Sequence, residues 1–247
     1  MGCHLLSGVA DLEFVDQSPG GGPTTTTTHS GGHGGALPTG GTGGAAGSGG
    51  SAQAGAEPCH PLGLEDGFDN GSYDGSLWSL WGGAPTGVEN GRWFVAPTPS
   101  AVDGETGILY SQSYYDHHDC SAWIEVPTVF DVSISGEASF YLWGDDSNRV
   151  KIDAHAGTIG FKFTVNGADD PTAELTYDPV EHRWWRIRES AGTVHLETSP
   201  DAHTWTDRLS AASPAYVGNA TMEFGAASWG TMPMVSRVEF DNVDLLP

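Results

Sequence analysis

The sequence predicts an all-β protein: a two-sheet antiparallel sandwich built on residues 57–247, set behind a long uncharged tether. Three observations carry that prediction. From residue 66 onward, short apolar or alternating runs recur at near-regular spacing, with Asn-Gly, Asp-Gly, Asp-Asp and Pro-containing joints between them. No long window keeps the 3.6-residue period of a helix. The stretch 177–206, YDPVEHRWWRIRESAGTVHLETSPDAHTWT, alternates on both sides of a short Gly-containing turn, the pattern of a half-buried hairpin.

Taken in order, the chain begins with residues 1–16, which read as an amino-terminal targeting segment. Cys3 follows Gly2 and precedes a short apolar run, similar to the end of a bacterial lipoprotein signal in which the cysteine is lipidated. N-myristoylation of Gly2 is a competing reading, although Leu6 stands where that pattern wants Ser or Thr; a plain soluble start is a third. Residues 17–56 contain no Asp, Glu, Lys or Arg and are mostly Gly, Thr, Ser, Ala and Pro. So little apolar surface cannot offset the entropy of ordering it, so the segment is expected to be a disordered linker. A lipid at Cys3 and such a tether would hold a folded domain off an outer-membrane or other envelope surface.

The strands expected in the folded domain span 77–81, 92–96, 107–111, 120–126, 136–143, 149–155, 158–165 and 173–177. The central hairpin follows, and then 222–228 and 235–246. Alternation turns Phe140 and Leu142 to one side and Tyr141 and Trp143 to the other, and likewise separates Trp185 and Ile187 from Trp184, Arg186 and Arg188. Trp78, Trp185 and Trp205 are expected in the core. Phe68, Asp69 and Asn70 echo Phe240, Asp241 and Asn242, a hint that the two ends of the domain lie close together.

With 9 Lys and Arg against 32 Asp and Glu, the formal net charge is −23. Such a surface repels phosphate backbones, which excludes nucleic acid as a partner. Its plain meaning is solubility; divalent-cation binding is the sharper one. No stretch approaches the eighteen or so apolar residues of a membrane span, so a lipid is the only membrane attachment foreseen. Of three cysteines, two remain if Cys3 is lipidated, and an exported compartment would permit a Cys59–Cys120 disulfide. CxxC and HxxxH spacings are absent, which argues against zinc.

The runs FDNGSYDGSLWSLWGG, VENGRWFV, RWWRIRESAGTVHLETSPDAHTWT and VEFDNVDL resemble the concanavalin A-like lectin/glucanase superfamily, most of all its LamG-like and DUF1349-like modules of bacterial secreted proteins and lipoproteins. The resemblance implies a jelly roll of two curved sheets. It also implies calcium tying the first strand to the last, with Asp66, Asp69 and Asp241 as oxygen donors. For the family's glucanases it implies carboxylates in an ExDxE or ExDxxE run on one strand, as retaining hydrolysis requires a nucleophile and an acid/base a few Å apart. No such run is present: Glu125, Glu197 and Glu239 stand alone, though Glu239 and Asp241 share a face. There is no GxSxG elbow either. The YYDHHD patch around His117 and His118 reads as a solvated turn or, alternatively, a metal site.

Binding is the better reading, because 9 Trp offer flat faces on which sugar rings stack. The expected ligand-binding sheet face joins Tyr141, Trp143, Lys151 and Asp153 with Arg186, Arg188, His195 and Glu197. The reading is an exported, lipid-anchored, non-catalytic carbohydrate-binding or adhesion module. Two alternatives stand beside it: a glycan hydrolase whose carboxylates come from different strands, and a structural protein-interaction module of the cell surface.

Overall fold

The computed structural model describes residues 57–58, 64–98, 104–229 and 236–246, all within the compact unit from Gly50 to Pro247. Cys3, Cys59 and the expected segments 1–16 and 17–56 lie outside the described residues.

In chain order the first strands are β1 (Glu57–Pro58), β2 (Trp78–Gly82), β3 (Thr86–Glu89), β4 (Arg92–Val95), β5 (Thr106–Ser111), β6 (Tyr115–Asp116), β7 (Ser121–Thr128) and β8 (Gly136–Asp145). They are followed by β9 (Asn148–His155), β10 (Thr158–Val165), β11 (Ala168–Thr176), β12 (Trp184–Ser190), β13 (Thr193–Ser199), β14 (Thr206–Ala212), β15 (Thr221–Ser228) and β16 (Val238–Leu246). The strands form two antiparallel seven-stranded sheets. The first runs β11-β10-β9-β8-β15-β5-β2 and the second β14-β13-β12-β7-β16-β4-β3. β1 and β6 form a small parallel pair at the side. A single turn of 3-10 helix at Ala215–Gly218 is the one helical element among the described residues.

Period-two alternation decides what each sheet buries. Phe140, Leu142, Ile152, Phe161 and Phe224 of the first sheet point inward and meet Ile124, Trp185, Ile187, Leu196 and Phe240 of the second. Phe224 is the hub: its ring lies 5.0 Å from Trp78, 5.4 Å from Trp93 and 5.5 Å from Phe240, the first two edge-on. Each such ring contributes about 2 kcal/mol by leaving water. Their geometry also fixes how the sheets stack, since edge-to-face pairs are directional.

The central hairpin forms where the sequence places it. β12 and β13 pair from Trp184↔Ser199 to Ser190↔Thr193. Its two-residue turn needs positive φ at both positions, and Ala191 (51°) and Gly192 (78°) supply it. The two ends of the domain do meet: Asp66 N donates to Val243 O at 3.0 Å, and Val243 N donates back to Asp66 O at 3.1 Å. β16 therefore runs through the middle of the second sheet with the domain's first described turn sewn to it.

Two expectations fail here. Trp205 is not in the core; it lies half-buried, its ring stacked on Trp123 at 6.1 Å. The YYDHHD patch is not a solvated turn throughout. His117 is buried, bonded through Nε2 to the Ala220 carbonyl, and desolvation holds its pKa down at about 4, so the ring is neutral.

Candidate functional site

Strand register assembles a polar surface on the outer side of the first sheet. One row across it reads Tyr110, Glu223, Tyr141, Lys151 and Lys162 on β5, β15, β8, β9 and β10. The next row reads Trp81, Ile108, Gly225, Ser139, Asp153, Gly160 and Glu174, from β2 to β11. Small residues thus fill the centre of the second row, between taller side chains. At its β2 end stands Trp81, 51% exposed.

Charge runs along β9. Lys151 Nζ lies 2.7 and 2.8 Å from the two carboxylate oxygens of Glu137 and 3.8 Å from Asp153 Oδ2. Lys151 pairs with Tyr141, whereas Glu137 pairs with His155 two rows along. The lysine stem must therefore lie across the Ser139–Asp153 row, which explains why those polar residues are only 3% and 2% exposed. His155 Nδ1 is 3.1 Å from Asp153 Oδ2 but lacks the angle of a hydrogen bond. Asp153 Oδ1 has no hydrogen-bond partner among the described residues. Gly160 lies opposite, and a Cβ there would sit 2.9 Å from that oxygen.

Glu223 is a half-buried acid of the same face. It accepts hydrogen bonds from Thr221 Oγ1 at 2.8 Å and from Tyr141, and among the described residues no cation pairs with it. Burial pushes its carboxyl above the ordinary value, and burial next to Glu223 pushes the Tyr141 phenol well above its own.

The eight residues expected to share one face do not. Tyr141, Trp143, Lys151 and Asp153 belong to the first sheet, and Arg186, Arg188, His195 and Glu197 to the second, so the two sets look out from opposite sides of the sandwich. Alternation reports the side of its own strand on which a residue lies; it is silent about which sheet that strand joins. The second set is a tight lattice. Glu197 holds Arg186 Nε at 2.6 Å and Arg188 at 3.0 Å, Arg186 lies 4.1 Å from the Trp205 ring centre, and His195 Nδ1 is 2.7 Å from Asp207.

The three acids expected to hold calcium do not make a ligand cage. Asp66 accepts Phe68 N and Asp74 N at 2.9 Å each, spending both oxygens on its own turn. Asp241 accepts Asn242 N and lies 3.8 Å from Arg92. Among the described residues no group of three or more His, Cys, Asp or Glu is placed to hold a metal ion. Trp81 and Glu223 were not singled out from the sequence, although alternation with Trp78 and with Met222 and Phe224 does mark both as outward. That Glu223 lies between Tyr110 and Tyr141, and Trp81 beside Ile108, follows only from sheet order.

No family model and no curated relative matches the sequence. Solved structures match its fold. A glycosyl hydrolase family protein from Mycobacterium fortuitum aligns over 74% of this chain and 98% of its own, at TM-score 0.56 and 13% identity. An immunostimulatory antigen and pseudo β-1,3-glucanase of Mycobacterium tuberculosis aligns over 74% and 97%, at 0.55 and 10%. A legume lectin-like domain from Entamoeba histolytica aligns over 68% and 88%, at 0.50 and 11%. The fold is a concanavalin A-like β-sandwich. At these identities the likeness concerns the concanavalin A-like frame alone; what the outer faces do rests on their own residues.

Proposed function

We propose that the protein is a non-catalytic carbohydrate-binding module whose ligand lies on the outer face of the first sheet, with Trp81 as the stacking platform. One observation carries this reading. On β9 the side chains at the i, i+2 and i+4 spacing of a glucanase strand are Lys151, Asp153 and His155. A basic side chain occupies both flanking positions, and the one carboxylate between them lies under the lysine stem. Glu137 is bound at both oxygens by the same lysine. Glycoside hydrolysis needs two carboxyl groups free to act on opposite sides of a glycosidic bond. This face offers polar groups for hydroxyls and an exposed indole for a sugar's CH face, without that pair. The lectin-like and pseudo-glucanase descriptions of the structural neighbours favour the same class of ligand, and the net charge of −23 favours neutral over polyanionic glycans.

The test is a titration with neutral glycans, β-1,3-glucan oligosaccharides first, read by calorimetry, beside an assay for released reducing ends. Trp81→Ala is expected to weaken binding by about 2 kcal/mol, roughly 30-fold. Because the ring is half in water, the thermal midpoint should not move. Reducing-end release that disappears in Glu223→Gln, or undiminished affinity in Trp81→Ala, would count against the reading.

Export and lipidation at Cys3 belong to the same proposal. Their support is that Cys120 is disulfide-bonded, a state that oxidising compartments permit. We assign Cys59 as its partner, since Pro58 pairs with Asp116, four residues before Cys120. Peptide mapping with and without reductant checks the pairing, and a Cys3–Cys120 bridge would overturn both assignments.

A further inference from the structure

We propose that a second site, on the outer face of the second sheet between Trp123 and Trp184, binds an organic ammonium ion. A cavity of about 310 Å³ opens there, lined by these two indoles together with Glu65, Asn242, Asp244 and Ala202, among others. That volume is at the lower end of the roughly 300–1,000 Å³ of small-molecule sites. It lies on the opposite side of the sandwich from Trp81 and does not depend on the glycan reading.

Three features select the chemistry. First, every charged residue of the lining is an acid; no Lys, Arg or His takes part. Six of the molecule's nine basic residues (Arg92, Arg183, Arg186, Arg188, Arg208 and Arg237) lie on or beside this sheet, yet each is engaged elsewhere. Second, the indole walls are held in place. Trp123 stacks on Trp205 with the planes only 20° apart, and Trp205 is itself covered by the Arg186 guanidinium. Trp184 pairs with Glu125 and Ser199 at the start of β12, in the middle of the sheet. Third, Asp244 carries a carboxylate into the cavity wall, where it accepts a hydrogen bond from Trp123. Burial pushes its carboxyl above the ordinary range, and the negative charge of Glu65 adds to the effect.

These features exclude other occupants. A bare metal ion is a poor fit because indole faces are not hard-cation ligands, and the three acids of the lining, Glu65, Asp66 and Asp244, are not placed to hold one together, Asp66 accepting backbone N–H groups at both oxygens. A neutral sugar would stack on the indoles but leave Asp244 and Glu65 repelling each other in a partly desolvated space. An alkylammonium group satisfies both halves of the site, since electron-rich ring faces and carboxylates attract it together.

The experiment titrates the full chain with choline at fixed ionic strength and follows tryptophan fluorescence. The neutral isostere 3,3-dimethyl-1-butanol serves as the matched control. Choline is expected to saturate, with the isostere weaker by roughly ten-fold or more, the difference that a desolvated cation–π contact makes. Trp184→Leu should abolish the signal. Since that variant could disturb the sheet, Glu65→Gln, at an exposed position, provides the second reading and should weaken choline several-fold while leaving the isostere alone. Trp81→Ala should bind choline as the parent does. Equal affinity for choline and isostere, an unchanged affinity in Glu65→Gln, or the lack of saturable choline binding would each overturn the proposal.

Discussion

Glu197 and Glu223 are both glutamates on interior strands, both turned away from the core, and both largely hidden from water, yet they are held in different ways. Glu197 on β13 is clasped by two guanidiniums, Arg186 and Arg188. Its neighbours on the second sheet follow suit: Glu125 takes Arg183 Nε at 2.6 Å, and Glu239 takes Arg92 at 3.1 Å and Arg237 at 2.6 Å. Among the described residues, Glu223 on β15 has only the hydroxyls of Thr221 and Tyr141. The lattice of arginine and carboxylate makes most of the second sheet's outer side a framework, with the cavity at Trp123 and Trp184 as its gap. The first sheet's outer side keeps Glu223 and one oxygen of Asp153 without a counter-charge or a hydrogen-bond donor respectively among the described residues, and it is on this contrast that the proposed glycan face rests.

Removing charge should therefore affect the two faces unequally. Glu197→Gln leaves two part-buried guanidiniums facing each other without a counter-charge and should cost about 3 kcal/mol in urea denaturation. Glu223→Gln removes a carboxylate that burial already disfavours, and stability at neutral pH should hold or rise. Equal losses in the two variants would erase the distinction between framework and ligand face.

A smaller effect probes β9. In Lys151→Met, Glu137 loses its partner and Asp153, 2% exposed, loses the nearby positive charge and its cover. A loss of about 2 kcal/mol is expected, given what unpaired buried carboxylates cost. Adding Asp153→Asn should return part of it, because a neutral amide in that site needs no counter-charge. A double-mutant cycle with no coupling between these positions would show that Asp153 does not depend on the lysine.

How much of this could be read beforehand depends on what each signal encodes. Strands with strong alternation, such as GEASFYLW and RWWRIRES, are legible because inward Phe140, Leu142, Trp185 and Ile187 leave no other period. β14 was not, since TDRLSAA is an edge strand with little buried surface to pattern it, and β3 likewise, with a glycine and a single apolar residue. The candidate site was half legible. That Lys151 and Arg186 face outward follows from their strands, but that they lie on opposite sides depends on β9 joining β8 and β10 while β12 joins β7 and β13. Three of those pairings are hairpins between consecutive strands; only β12 with β7 is long-range, and nothing within a hairpin specifies which sheet it joins. Trp205 was misplaced for a related reason: a lone tryptophan after a turn has no alternating neighbours to show that it stacks on Trp123 outside the core.

The smallest effect is in some respects the sharpest, because its sign differs between the two faces. Burial raises the Glu223 carboxyl above its ordinary 4.5 in the folded state. The folded protein thus holds that proton more tightly than the unfolded chain; the contribution is full below 4.5 and fades as pH rises through the folded value. For Glu197, burial also raises the pKa, but the hydrogen bonds from Arg188 and Arg186, with the charges of both, outweigh it and leave the net value below 4.5. Its contribution is present above 4.5 and is lost as pH falls through the folded value. Urea midpoints of the parent and the two Gln variants, taken between about pH 4 and 7, should give difference curves of opposite slope. The advantage of Glu197 over Gln should grow with pH, while Glu223 should become the worse residue relative to Gln over the same range. Parallel curves would mean that Glu223 is as well neutralised as Glu197, and the polar face of the first sheet would then be framework too.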